Sequence, residues 1–208
     1  MDPETRGSLG ERVAKAAAGF GYVNAGTVEF LRTPEGDYYF MEMNTRLQVE
    51  HPVTEMVTGV DLVEEQIRLA ARNPLSVDPT QLVLAGHAIE FRINAEDPNA
   101  GFRPDPGEIA GFSLAQVDMD GVRVRWDSAI RSGYRIPPHY DSMIGKLIVH
   151  GPDRETALEA SRRALDSLSV EGVSTTIGLH RRILDDPSFC GGEYDVDFLA
   201  EKGLVPTS

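Results

Sequence analysis

Residues 26–50 read GTVEFLRTPEGDYYFMEMNTRLQVE, and the fold depends on how this stretch divides. Two β-rich runs, Gly26–Arg32 and Asp37–Met43, flank Thr33-Pro34-Glu35-Gly36, and Pro followed by Gly between strand patterns predicts a hairpin. With the turn centred between Glu35 and Gly36, Glu29 lies directly opposite Glu42. Opposed carboxylates repel, and that conflict disappears if a divalent cation sits between them. Asn44 is two residues past Glu42, on the same strand face, and offers a third oxygen. An all-oxygen set with room for water and phosphate suits Mg²⁺ or Mn²⁺. Taken alone, the pair also suits a solvated strand face carrying two unrelated glutamates.

Beyond Glu42 every even position to Glu50 is polar, and the odd positions are mostly apolar. This alternation predicts an extended strand that continues out of the hairpin. One wall would then carry cation ligands, the guanidinium of Arg46, the amide of Gln48 and the carboxylate of Glu50. A guanidinium fork grips a planar anion such as bicarbonate through paired hydrogen bonds, and Glu50 is placed to take its proton.

Upstream, Asp2 as cap and Pro3 at the first helical position open a helix with apolar residues Leu9, Val13, Ala16, Ala17 and Phe20, ended by Gly19 and Gly21. Downstream, a second helix is predicted from Asp61 to Asn73, with Leu62, Ile67 and Leu69 inward and Asn73-Pro74 as its stop. The Pro-containing stretch 74–80 marks a boundary, giving domains 1–80 and 81–208. The second domain has strand patterns at Gly86–Asn94, Glu108–Leu114, Gly121–Trp126 and Ser142–His150. Helices are expected over Asp153–Leu168 and Ser174–Asp186, with a short one from about Asp195. The fold class is α+β, a mostly antiparallel sheet with packed helices.

The 208 residues carry 33 Asp and Glu against 20 Lys and Arg, a net charge of −13. Such a balance repels nucleic acid and anionic membranes. No stretch approaches a membrane span, the N-terminus lacks a secretory pattern, and the single cysteine, Cys190, excludes an internal disulfide. A cytoplasmic protein is expected. The five histidines show no zinc spacing. His51 reads as a packed residue in the extended conformation that Pro52 favours. Asp141 and Lys146 read as a structural pair or a loop support. Cys190 has no basic neighbour in the sequence, so a catalytic thiol is not expected.

The run EMNTRLQVEHPVTE (42–55) resembles the signature of biotin carboxylases, within the ATP-grasp superfamily. GYVNAGTVEFL (21–31), AIEFRINAEDP (88–98) and PHYDSMIGKLIVHG (138–151) extend the likeness across the chain. Thr45 and Pro52-Val53 are similar to the acyl-CoA carboxylase type, which suggests an acetyl-CoA carboxylase component serving fatty acid biosynthesis. The resemblance implies the C-terminal lobe of an ATP-grasp domain followed by the biotin carboxylase C-terminal domain. It implies that Glu29, Glu42 and Asn44 hold Mg²⁺ or Mn²⁺ at the phosphates of ATP, the co-substrate. Arg46, Gln48 and the Val49 backbone would bind bicarbonate, Glu50 would be the base, and Arg92 would stabilise the enolate of biotin, the carboxyl acceptor.

Implied partners are a biotin carboxyl carrier protein or domain, a carboxyltransferase subunit, the missing N-terminal half and a second copy in a homodimer, whose interface in the family includes the region of Arg125 and Trp126. The family's glycine-rich lid and its lysines have no counterpart in this chain, so the isolated chain is expected to bind ATP weakly and to be inactive. Two other readings stay open: a non-catalytic dimerisation or carrier-binding module, and a piece of another ATP-grasp ligase such as a carbamoyl-phosphate synthetase.

Overall fold

The computed structural model describes residues 1–206. The chain divides into two compact units: Met1–His51 with Gly59–Leu82, and Pro52–Thr58 with Val83–Ser208.

The first unit opens with α1 (Pro3–Gly19). Asp2 caps it by accepting from the Thr5 amide at 2.8 Å, satisfying one of the donors a helix start leaves unpaired. β1 (Thr27–Arg32) and β2 (Tyr38–Asn44) form a two-stranded antiparallel sheet. Near the turn Arg32 faces Tyr38 and Phe30 faces Phe40, so the loop is centred one half-step earlier than the sequence suggests. The register then slips between Glu29 and Phe30, leaving Met41 as an extra residue in β2, and Glu29 comes to face Glu42. The expected pair forms, but through a bulge, the device that re-aims side chains within a ladder.

The chain does not stay extended after Asn44. It bends at Thr45-Arg46, turns at Val49-Glu50 and enters α2 (His51–Thr58), a helix that the alternating pattern conceals. His51 is therefore helical rather than extended: a proline in the first turn loses only an amide that had no helical partner, and the His51 ring Nδ1 lies 2.8 Å from the Gln48 carbonyl oxygen. α3 (Leu62–Ala70) starts at the predicted cap, Asp61, but stops before Asn73, and Ile67 is 66% exposed instead of inward. Its buried Glu65 accepts from the Ser76 amide at 2.9 Å and from the Ser76 hydroxyl, tying down the segment that follows.

The second unit contains a three-stranded sheet of order β3-β8-β7, from β3 (His87–Asn94), β7 (Arg123–Asp127) and β8 (Met143–Gly151), and two separate two-stranded pairs that involve β4 (Glu96–Asp97) with β5 (Arg103–Pro104), and β6 (Gly111–Ser113). β8 is buried along almost its whole length, as a central strand covered on both faces should be. α4 (Arg154–Ser167) packs against it, capped by Asp153, which accepts from the Thr156 amide at 2.7 Å. β9 (Ser169–Glu171) pairs with β6. α5 (Ile177–Asp185), α6 (Pro187–Gly191) and α7 (Phe198–Glu201) complete the unit. Its core joins Ile93, Ile109, Leu147, Val149, Leu165 and Leu184, all at 0% exposure.

Trp126 packs on this core and stacks on Phe112 at 5.5 Å. Lys146 reaches Asp127 (3.8 Å) rather than Asp141, because β7 lies beside β8, while Asp141 holds its loop by accepting from the Met143 amide at 2.7 Å. Cys190 does gain a basic neighbour through folding, since Arg162 Nη2 lies 3.2 Å from its sulfur. Among the described residues no helix is long and apolar enough to cross a membrane.

Candidate active site

The polar face of the hairpin gathers the first group. Asn44 Nδ2 donates to Glu29 Oε1 at 2.9 Å and to Glu42 Oε1 at 2.8 Å, so oxygens of both carboxylates converge on one nitrogen. Gln48 Nε2 donates to the same Glu29 oxygen at 2.7 Å, and Arg46 Nη2 lies 3.4 Å from Asn44 Oδ1. Five of the predicted residues thus form one hydrogen-bonded cluster.

Its chemistry fits a hard divalent cation. Two carboxylate oxygens converge where the Asn44 amide offers both of them the positive end of a dipole. A half-turn of that amide exchanges its donor for an oxygen, and the choice between the two is a matter of hydrogen-bond assignment. Among the described residues no group of three or more His, Cys, Asp or Glu is arranged to hold a metal. Two carboxylates plus an amide oxygen leave the remaining positions to water or phosphate, the arrangement Mg²⁺ favours.

Arg46 is exposed, and its Nη1 donates to the Leu47 carbonyl at 3.3 Å. With the contact of Nη2 to Asn44 at 3.4 Å, both ends of the guanidinium fork are held only by long hydrogen bonds. Val49 and Glu50 occupy the turn that replaces the predicted strand, with Val49 half-buried and Glu50 exposed. The turn, and not strand alternation, sets the direction in which Glu50 projects.

Arg92 belongs to the second unit, on β3, with its side chain exposed between the buried Phe91 and Ile93. The ladder places Lys146 opposite it and Asp127 opposite Lys146, so Arg92, Lys146 and Asp127 form a row across the three strands. Arg125 continues the charge network, binding Asp127 through two hydrogen bonds of 2.7 Å and Glu55 at 2.6 Å. These carboxylates hold the Arg125 guanidinium above its ordinary range, Asp127 most strongly. Two residues near Arg92 carry no signal in the sequence: Thr176 and His180 both reach its backbone carbonyl, at 3.1 and 2.9 Å, from more than eighty positions away.

Known proteins share this arrangement of sequence and fold. Residues 90–201 match the family model of the biotin carboxylase C-terminal domain, and residues 1–78 that of the ATP binding domain of the carbamoyl-phosphate synthase L chain. A biotin carboxylase of Nostoc sp. is 52% identical over 97% of this chain and 44% of its own length. A pyruvate carboxylase subunit of Methanothermobacter thermautotrophicus is 50% identical over 97% of the chain and 40% of its own length.

Among solved structures, the biotin carboxylase domain of a thermophilic 2-oxoglutarate carboxylase bound to bicarbonate superposes with a TM-score of 0.92 at 44% identity, over 100% of this chain and 46% of that one. The dimeric biotin carboxylase domain of the Hydrogenobacter thermophilus 2-oxoglutarate carboxylase, in complex with MgADP, ADP and bicarbonate, gives the same score and identity over 100% and 45%. The chain spans less than half the length of each of these relatives.

Proposed function

The chain belongs to the biotin carboxylase family, and on that premise we propose that it supplies the metal and bicarbonate side of the site that carboxylates biotin at the expense of ATP. The observation that carries this reading is the convergence of Glu29 and Glu42 on one point beside Arg46 and Gln48. The two domains are 1–80 and 81–208, a division supported by the separate family matches over 1–78 and 90–201.

In this reading Glu29, Glu42 and Asn44 hold Mg²⁺ or Mn²⁺. When bound, that ion would supply charge neutralisation at the phosphoryl oxygens of ATP. Arg46, Gln48 and the Val49 backbone grip bicarbonate, and Glu50 takes its proton as its oxygen attacks the γ-phosphate. Carboxyphosphate and ADP result. Carboxyphosphate then breaks into CO₂ and phosphate, phosphate takes the ureido proton of biotin, and Arg92 faces the enolate oxygen that forms. A fixed cation opposite a developing oxyanion is worth about 3–4 kcal/mol by analogy with oxyanion-hole donors. ATP, bicarbonate and Mg²⁺ fit the complexes named for relatives that carry MgADP or bicarbonate.

The remainder of the site comes from further sequence, on the same or a companion polypeptide. Two features support this. Among the described residues the hairpin sheet has only two strands, so neither outer edge is paired within a ladder. Its apolar face and α1 border a cavity of about 890 Å³ that includes Phe20 (87% exposed) and Phe40 (64% exposed). A surface of that kind needs a cover. The expected partners are a carrier domain bearing biotin, a second copy of the complete enzyme and a carboxyltransferase subunit, and the chain alone is inactive. Relatives at about 50% identity include biotin carboxylases and a pyruvate carboxylase subunit, so assignment to an acyl-CoA acceptor, acetyl-CoA in fatty acid synthesis, rests on Thr45 and Pro52-Val53.

Titration of the chain with Mn²⁺, followed by electron paramagnetic resonance, tests the metal site. A bound population is expected in the unaltered chain and should vanish when Glu29→Gln and Glu42→Gln are combined. Retention of the bound signal in that double variant refutes the site.

A further inference from the structure

β3 is an outer strand of its sheet, so the backbone groups on its far side need partners from outside the ladder. Around Arg92 these partners come from the start of α5. The Thr176 hydroxyl donates to the Arg92 carbonyl at 3.1 Å and accepts from the Asn94 amide at 3.1 Å, while the Thr176 amide donates to the Asn94 carbonyl at 3.1 Å. His180 Nε2 lies 2.9 Å from the same Arg92 carbonyl oxygen. A carbonyl only accepts, so Nε2 carries the proton. The His180 ring stands edge-on to Phe91 at 5.4 Å.

Two details set this arrangement apart from ordinary edge cover. It sits where the β3–β8 register slips, between Ile93 and Asn94, the place where a ladder alone holds a strand least firmly. Thr176 is also the N-cap residue of α5, yet its hydroxyl makes no cap bond. A threonine cap is ordinarily worth about 1 kcal/mol. Here the hydroxyl serves the strand instead, a local rule broken for a contact elsewhere.

We propose that Thr176 and His180 are positioning residues that clamp the backbone beneath Arg92 and so fix the direction in which its guanidinium projects. The inference rests on the reading of Arg92 as the group that faces biotin. An exposed arginine has many rotamers, and anchoring its Cα beside a bulge removes the backbone contribution to that freedom. Both residues bond the Arg92 backbone, and Thr176 also holds Asn94 beside it.

Nuclear magnetic resonance on this chain tests it. The ring nitrogens of His180 should report the Nε2-protonated form at pH 7, with a slowly exchanging proton coupled to the Arg92 carbonyl carbon. The opposite tautomer overturns the clamp. His180→Ala should then mobilise the Arg92 side chain and speed exchange of the Asn94 amide by about tenfold, with the Ile89 amide unchanged. His180→Gln, whose amide N–H can reach the same carbonyl, should restore both. Equal Arg92 mobility in the unaltered chain and in His180→Ala refutes the proposal. If His180→Ala does not fold, Thr176→Val replaces it, since it removes one of the two donors to the same carbonyl; because that hydroxyl also accepts from the Asn94 amide, Arg92 mobility alone is read, a rise being expected and no change refuting the proposal. Unchanged biotin-dependent ADP release by Arg92→Ala, with the remainder of the site supplied, would instead refute the assignment of Arg92 and leave the hydrogen bonds as observed.

Discussion

At the residue scale, two histidines make the second unit sensitive to acid. Burial lowers the basicity of His87, and the neighbouring Arg154 cation, whose Nη1 lies 3.2 Å from His87 Nε2, lowers it further. Burial also lowers that of His180, only partly opposed by its bond to the Arg92 carbonyl. In the unfolded chain both rings take up a proton near the ordinary value of 6.5, whereas the folded chain keeps them neutral to lower pH. The unfolded state thus binds more protons as pH falls below 6.5, and stability that is complete above that value is lost as pH falls from there through the lowered folded-state values. Thermal melting between pH 8 and pH 5 should show a falling midpoint below about pH 6.5, before carboxylates titrate, and His180→Gln should flatten part of the fall. A midpoint that is flat or rises on acidification contradicts this account.

At the scale of elements, the sequence announces starts better than courses. Asp2 and Asp61 each cap a helix as predicted, and Asp153, expected as a helix start, caps another, because a cap is decided within four residues. The hairpin is legible because Pro34 and Gly36 punctuate it. Its register is not: a bulge at Met41 depends on how the whole ladder twists, and the correct pairing of Glu29 with Glu42 emerges from a turn centred elsewhere. α2 escapes a reading of pattern because the polar–apolar alternation of residues 42–50 mimics a strand right up to its first turn. The site shows the same division. The cluster of Glu29, Glu42, Asn44, Arg46 and Gln48 lies within twenty residues and can be read locally, while Thr176 and His180 reach Arg92 only through tertiary folding.

The contact between β7 and β8 offers a test at this scale. A Cβ added to Gly145 would lie 2.3 Å from Trp126 Cη2. Gly145→Ala should destabilise the chain by about 1–3 kcal/mol through overpacking, measured by denaturant melting. Combining it with Trp126→Leu should recover part of that loss. A neutral Gly145→Ala would mean that the indole is not packed on the strand in this way.

At the scale of the whole molecule, the chain in the proposed reading carries part of a catalytic site, the metal and bicarbonate side. Phosphoryl transfer depends on clamping the triphosphate from all sides in a closed space, and this chain spans 44% of its Nostoc relative. The most direct measurement is ADP release from ATP dependent on both biotin and bicarbonate, with Mg²⁺ present, by the chain alone and by the chain mixed with a separately made N-terminal portion from a relative. The account predicts negligible release alone, release on mixing, and its loss in Glu50→Gln; full activity of the chain alone, or activity on mixing that survives Glu50→Gln, would contradict it.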